Sequence, residues 1–352
     1  MAGAQEKRGV GMAADIAEQP EVFSRLLDSQ AGAIARVAGQ IAQRRPRFVI
    51  YAARGSSDHA ALYAAYLTEV RLGIPAGLAS PSSMTVYGAR PDYRDALVIG
   101  VSQSGGSPDL VEVIQVAAER GATTLAVCNN PDSPLANAAQ WVVDIAAGHE
   151  RAVAATKTYT AELLALLMLI EGVRAGDGKL PDAERSELER LPGLAERLIA
   201  DSTAVELASR YRFAQHLVTT GRGYGYPTAR EAALKLMETS YLAALAFSGA
   251  DLLHGPLAMA DPEVPVFAVV GTGPAGESMR EVVAKIGERR ADVVSIGPRA
   301  AAMLHIPTPE VAERHAPLLD IIPLQQLARQ LALSRGEDPD SPRGLRKVTQ
   351  TR

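Results

Sequence analysis

The chain has 352 residues, 47% apolar and 22% charged, a balance that excludes a disordered or collagen-like polypeptide and suggests about two globular domains of roughly 150 residues. Lys plus Arg total 36 against 40 Asp plus Glu, a net charge of −4 with no basic block, which argues against a nucleic-acid surface. A single cysteine, Cys128, permits neither an internal disulfide nor a thiolate cluster and reads as a small buried hydrophobe.

The polar opening 1–8 lacks the apolar core of a signal peptide. The longest unbroken apolar run, 163–170, is far short of the roughly 20 residues that span a bilayer. A cytoplasmic protein is expected.

Along the chain, short β-branched runs alternate with helical patterns: Phe48–Ala52, a helix over Asp58–Gly73, Ala96–Val101, a helix from Ser107, then Thr123–Val127. That alternation predicts a parallel α/β fold. The stretch Gly172–Pro192, with Gly176, Gly178, two prolines and many charges, reads as a linker, and Leu194, Ala195 and Leu198 behind it as a connecting helix.

A second series follows: Leu217–Thr220, a helix near Thr228–Leu245, Val264–Val270, a helix near Glu277–Arg289, and Asp292–Ile296. Shifting the chain on itself by roughly 168 residues places Ala53-Arg54-Gly55 on Gly221-Arg222-Gly223, Val98–Val101 on Val266–Val269, and Gly105 on Gly273. An internal duplication of this kind predicts two similar open sheets whose ligands sit beyond the carboxyl ends of the strands. Leu324, Leu327 and Leu331 at helical spacing, with Gly336 as a stop, close the ordered chain, and the polar and basic tail beyond is expected to be disordered unless it docks.

The strongest local signal is Val101-Ser102-Gln103-Ser104-Gly105-Gly106-Ser107 between a strand and a helix. Hydroxyls, an amide and glycine-exposed N–H groups converge there on a helix N-terminus, where unpaired donors and the helix dipole favour a phosphate. Without a lysine it is not a Walker loop, and serine and glycine are also ordinary turn and cap residues. Arg54-Gly55-Ser56-Ser57 ends the preceding strand, so two hydroxyl-bearing turns can address one anion. The matching turns of the second half, Gly223–Pro227 and Gly271–Pro274, lack serines, which predicts one phosphate site.

Spacings of four and three residues put Glu231, Lys235 and Glu238 on one helical stripe. An exposed ion pair is the plain alternative. The rest of the circumference, however, is Ala232, Ala233, Leu234, Leu236 and Met237, followed by Ser240, Tyr241 and Ala244, so the polar stripe belongs to a largely buried helix. Desolvation beside a lysine tunes a carboxylate for proton transfer, which makes Glu238 the candidate acid–base group. His254, in the turn Asp251–Pro256, can move a proton near neutrality, although a lone loop histidine is often structural.

Taken together, Arg54–Ser57, Ser102–Ser107, Glu150–Lys157, Glu231–Glu238, His254-Gly255-Pro256 and Pro342–Lys347 resemble the double sugar isomerase (SIS) domain family. That family includes the isomerase half of glutamine-fructose-6-phosphate amidotransferase and stand-alone amino-sugar-phosphate deaminases and isomerases. The resemblance runs from Asp15 to Lys347. It implies two tandem α/β SIS domains, each an open parallel, flavodoxin-like sheet flanked by helices. Its parts are an N-terminal segment 1–30, a phosphate-binding first domain 31–175, a linker 176–200, a second domain 201–330 with the catalytic Glu, Lys and His, and a tail 331–352 docking on the active site.

By the same resemblance Ser56, Ser57, Ser102, Gln103, Ser104 and Ser107 hold the 6-phosphate of a hexose, and Val153 and Thr156 wall the sugar pocket. Glu238 moves the proton between C1 and C2 beside Lys235. His254, supplied by the neighbouring subunit of a homodimer, opens the ring, and Lys347 forms an imine with a ketose.

Four positions depart from the family pattern: Asp251 and Leu253 before His254, Ala155 in the pocket wall and Arg346 before Lys347. With Cys128 its only cysteine, the chain is not expected to draw ammonia from glutamine. No metal-ligand spacing or dinucleotide fingerprint is present, so no cofactor or metal is expected. The expected function is an amino-sugar 6-phosphate deaminase or isomerase. The alternatives are an N-acetylglucosamine-6-phosphate dehydratase working from the same enol, simple aldose–ketose isomerisation, and a non-catalytic sugar-phosphate sensor.

Overall fold

Every strand runs parallel to its neighbours, and the strands form two five-stranded sheets of the same order. The computed structural model describes residues 8–347. The chain falls into two units, one containing Glu21–Glu150 and Lys157–Arg190 and continued from Arg346, the other containing the chain up to Pro20, Arg151–Thr156 and Leu191–Leu345.

The chain enters through α1 (Val10–Ala17) and α2 (Gln19–Arg25). In the unit of residues 21–150 and 157–190, α3 (Ala31–Arg44) buries Ile34, Val37, Ala38 and Ile41, one stripe at helical spacing. There follow β1 (Phe48–Ala52), α4 (Ser56–Leu67), β2 (Ala76–Leu78), α5 (Pro81–Thr85), β3 (Ala96–Ser102), α6 (Pro108–Glu119), β4 (Thr123–Cys128), α7 (Pro134–Ala138), β5 (Trp141–Asp144), α8 (Lys157–Ala175) and α9 (Asp182–Leu188).

The sheet order β2-β1-β3-β4-β5 reverses direction between β1 and β3, and that reversal makes the cleft where α/β sheets hold ligands. β3, at the centre, is buried along its whole length, which is why it reads as a continuous apolar run rather than an alternating one. Its Val98 packs in one core with Val113, Ile114, Ala117, Ala126 and Leu135. The apolar run 163–170 is the middle of α8, which is buried from Lys157 to Gly172.

The other unit carries α10 (Leu191–Ala200), α11 (Thr203–Ala208), β6 (His216–Gly221), α12 (Gly225–Ser240), β7 (Ala243–Ser248), α13 (Gly249–Leu253), β8 (Val266–Val269), α14 (Gly273–Glu288), β9 (Val293–Gly297), β10 (Leu304–Pro307) and α15 (Ala316–Ser334). Its sheet order, β7-β6-β8-β9-β10, reproduces the first strand for strand. The starts of β1 and β6, at Phe48 and His216, keep the offset found in the sequence, so two flavodoxin-like sheets related by duplication are present.

Two expectations are corrected. The helix expected over Thr228–Leu245 stops at Ser240, where Tyr241 takes a left-handed φ of 55°, and Ala243–Ser248 instead pairs along β6. Sheet pairing there overrides the helical propensity of an alanine-rich segment. The expected linker Gly172–Pro192 is largely structured, with α8 running to Ala175 and α9 following. Gly178, at a φ of 86°, lies so close to α3 that a Cβ would come within 1.9 Å of the Ala35 carbonyl oxygen. The tail behind Gly336 is held on its own unit: Asp340 accepts from the Gly11 and Met12 N–H groups at 2.8 and 2.7 Å, capping α1, and its carbonyl accepts from Val153 N–H. Among the described residues no helix is long and apolar enough to cross a membrane.

One buried acid gives a pH-dependent expectation. Asp320 on α15 is 2% exposed, and burial pushes its carboxyl up to about 7, with the Thr308 hydroxyl opposing the rise only in part. An acid whose folded pKa is raised penalises folding as pH climbs from its ordinary value towards the folded one, and the penalty then stays level. For Asp320 that window runs from about 3.8 to about 7. Asp320→Asn is therefore expected to add nothing near pH 4 and to gain stability steadily up to pH 7, reaching roughly 4 kcal/mol. Urea denaturation at a series of pH values reads this directly, and a gain independent of pH would contradict it.

Candidate functional site

In the first-described unit the two serine-bearing turns leave the carboxyl ends of adjacent strands, for Ala52 of β1 stands opposite Gly100 of β3. The β1–α4 turn pivots on Gly55, whose φ of 58° and ψ of −132° suit glycine alone, and delivers Ser56 and Ser57 into the first turn of α4. The β3–α6 turn is built from its own hydroxyls. Ser102 Oγ accepts the Gly105 N–H at 3.1 Å, and Ser104 Oγ accepts the Gly106 N–H at 3.2 Å. The Gly105 carbonyl accepts from Leu135 and the Gln103 carbonyl from Asn129. Gly105 has a φ of 62°, and a Cβ there would lie 2.1 Å from Ser133 Oγ, so the turn tolerates no side chain at its apex.

Ser107 caps α6 with extended backbone and leaves its side chain uninvolved in the cap, ahead of Pro108 in the first turn. Gln103, Ser104 and Ser107 are partly exposed, whereas Ser56, Ser57 and Ser102 are buried. The result gathers hydroxyls and N–H groups at two helix N-termini, which suits an anion.

Carboxylates that the sequence did not single out organise this turn pair. Ser57 Oγ donates to Glu162 of α8 at 2.8 Å, so its proton points inward and its backbone N–H is what it offers outward. Asp109, in the first turn of α6, takes Arg54 Nε and one Arg54 terminal nitrogen on the same oxygen, both at 2.9 Å. In the same unit Lys347 Nζ lies 3.3 Å from Glu150 Oε2, and that carboxylate is also bound by the Thr158 N–H and hydroxyl at the start of α8.

In the other unit, α12 carries the acidic stripe. Lys235 is fully buried, with Nζ 3.3 Å from Glu231 Oε1 and 2.5 Å from Glu238 Oε2. Glu231 is sealed, while Glu238 retains 22% of its side-chain exposure. The arrangement is a buried cation between two carboxylates, of which only Glu238 reaches the surface, at the last turn of the helix. Thr239 Oγ1 donates to the Lys235 carbonyl and also contacts the Ala328 carbonyl of α15.

Val153 and Thr156 lie in this unit's segment 151–156, Thr156 fully buried with its carbonyl accepting from Gln325. His254 stands exposed at the end of α13, just past β7. Among the described residues its ring makes no hydrogen bond with Glu238 or Lys235.

The second unit's counterpart of the serine turn is occupied from within. Gly273 repeats the positive φ of Gly105, at 79°, and the Ala275 and Gly276 N–H groups at the start of α14 bind the carboxylate of Glu313, Ala275 at 3.2 Å. A Cβ on Gly273 would meet Glu313 Oε2 at 2.6 Å. Burial raises the Glu313 carboxyl above its usual range, and the two N–H groups only partly offset this.

Two duplicated parallel sheets of this order, with the serine turns at the switch point of the first, define an α/β protein of the doubly wound class. The SIS domain model matches residues 41–172 and 211–335, and the chain belongs to the SIS domain family. A glutamine–fructose-6-phosphate aminotransferase of Methanothermobacter thermautotrophicus is 36% identical over 307 residues, 85% of this chain and 51% of the relative. The chain thus spans about half the length of the curated relatives it matches. A solved structure from Silicibacter pomeroyi, provisionally assigned as a phosphosugar isomerase, superposes with a TM-score of 0.84 at 34% identity, covering 94% of this chain and 99% of that one. The C-terminal domain of glucosamine-fructose-6-phosphate aminotransferase from Francisella tularensis superposes with a TM-score of 0.87 at 25% identity, covering 96% and 99%.

Proposed function

We propose that the chain is a phosphosugar enzyme of the isomerase and deaminase type, acting on amino-sugar 6-phosphates by proton transfer between C1 and C2 of the open-chain sugar. The observation that carries this reading is the α12 stripe. A buried lysine 2.5 Å from a carboxylate that keeps one open side is the arrangement a general acid–base needs: a fixed proton acceptor whose charge is held in place. Glu238 takes the C2 proton, leaving an enolamine. Protonation at C1 gives an iminium at C2, and water added there expels ammonia and leaves the 2-ketose.

The phosphate role falls to Ser56, Ser57, Ser102, Gln103, Ser104 and Ser107, with Ser57 contributing its N–H. Val153 and Thr156 are assigned to the sugar wall, and Lys347 to the ketose carbonyl. The exposed His254 is assigned to ring opening from a neighbouring subunit of a homodimer.

Proton NMR in heavy water, with glucosamine 6-phosphate and N-acetylglucosamine 6-phosphate in separate samples, tests the reading. Exchange at C2 with ammonium release from the free amine is the expected result. A vinyl signal from the acetylated sugar would reassign the enzyme as a dehydratase. Saturable binding without exchange of either sugar would overturn the catalytic reading in favour of a sensor. Ser104→Ala is expected to raise the Kd for the sugar phosphate about tenfold while leaving the rate at saturation within about twofold, because one neutral hydrogen bond to a charged group is lost; isothermal titration and initial rates separate the two.

A further inference from the structure

Arg54 has no part in any of these roles, yet it spans the two turns assigned to the phosphate. It sits two residues beyond β1, immediately before the left-handed Gly55 that starts α4. Its guanidinium reaches across to Asp109 in the first turn of α6, with two nitrogens on one carboxylate oxygen at 2.9 Å each. The other Asp109 oxygen accepts the Leu110 N–H at 3.0 Å.

The pair is asymmetric: the Asp109 side chain is 2% exposed and that of Arg54 is 46% exposed. A lone surface arginine contributes little. A buried carboxylate at the mouth of an anion cradle is another matter, because it repels whatever charge enters.

We propose that Arg54 is a positioning residue for the phosphate cradle. Through Asp109 it ties the β1–α4 turn to the β3–α6 turn, and it cancels the Asp109 charge that would otherwise oppose a bound phosphate. The inference rests on the phosphate reading given above. It accounts for the place of an arginine at this turn: a planar, two-donor cation fixes both the distance and the angle between the turns, which a lysine's single ammonium does not.

The test compares wild type with Arg54→Ala, Arg54→Lys, Asp109→Asn and the Arg54→Ala/Asp109→Asn double variant. Binding of inorganic phosphate and of glucosamine 6-phosphate is followed by titration calorimetry, alongside KM, kcat and melting temperature. Arg54→Ala is expected to weaken both ligands at least tenfold and to raise KM to match, with kcat within about twofold. Arg54→Lys should fall between the two and keeps the test open where the alanine variant does not fold.

Adding Asp109→Asn to Arg54→Ala is expected to recover the part of the lost binding that the uncancelled Asp109 charge costs, though not the part owed to the lost tie, an effect that loss of packing alone would not produce. Unchanged ligand affinity in a folded Arg54→Ala or Arg54→Lys protein overturns the inference while leaving the phosphate reading intact, and so does a double variant no better than Arg54→Ala. A wild-type protein that binds neither ligand removes the phosphate reading, and this inference with it.

Discussion

Replacing Glu238 with glutamine is expected to abolish C2 proton exchange while leaving sugar-phosphate binding within about threefold of wild type. Glutamine keeps the length of the side chain and an oxygen that can still accept from Lys235 Nζ, now 2.5 Å from the carboxylate, so the packing of α12 changes little. What it removes is the basic site. A positioned general acid–base is worth about 10²- to 10⁴-fold in rate, and exchange should fall by that factor. Loss of the C2–H signal in heavy water measures the rate, and calorimetric titration with the sugar phosphate measures the binding. Exchange by Glu238→Gln at the wild-type rate would show that another group removes the proton.

Lys235→Met carries the largest effect on folding. Lys235 and Glu231 are both completely buried and stand 3.3 Å apart. Bringing the pair out of water was costly, but removing one member leaves the other charge enclosed, which typically costs about 3–5 kcal/mol. Urea denaturation of Lys235→Met should show a loss of that size. Adding Glu231→Gln to the same chain should return part of it, because the enclosed charge is then gone. A Lys235→Met protein as stable as wild type would mean that the ion pair contributes nothing to α12. Activity should be lost in either variant, since Glu238 loses the cation against which it is held.

The central strands were legible in the sequence because burial on both faces demands β-branched runs, as in Val98–Val101 and Val266–Val269. The edge strands were not. Ala76–Leu78 is three residues long, and Ala243–Ser248 opens with two alanines; what makes them strands is the neighbour each pairs with, not their own preferences. The candidate site divides along the same line. The serine turns and the stripe of Glu231, Lys235 and Glu238 are local patterns, visible as spacing. Asp109, Glu162 and Glu313 act on partners 55, 105 and 38 residues away in the chain, a relation that appears only once the strands are in order. Glu162 left one trace, one of the two carboxylates that bracket the apolar run that became α8, and Asp109 another, an acid in a helix's first turn that also suits the dipole.

The Glu313 carboxylate on the α14 turn changes how the two copies of the fold respond to their surroundings. An acid tethered by the chain meets its N–H groups at a fixed effective concentration that no dilution can lower. The second copy's turn is therefore ordered as soon as the protein folds, whether or not metabolite is present. In the first copy the Gly105 and Gly106 N–H groups are met by the neutral hydroxyls of Ser102 and Ser104 instead of a carboxylate, and on the phosphate reading an anion joins that turn only from solution. On that reading, duplication has left one turn whose anion is fixed at folding by its own chain and one whose anion comes from solution.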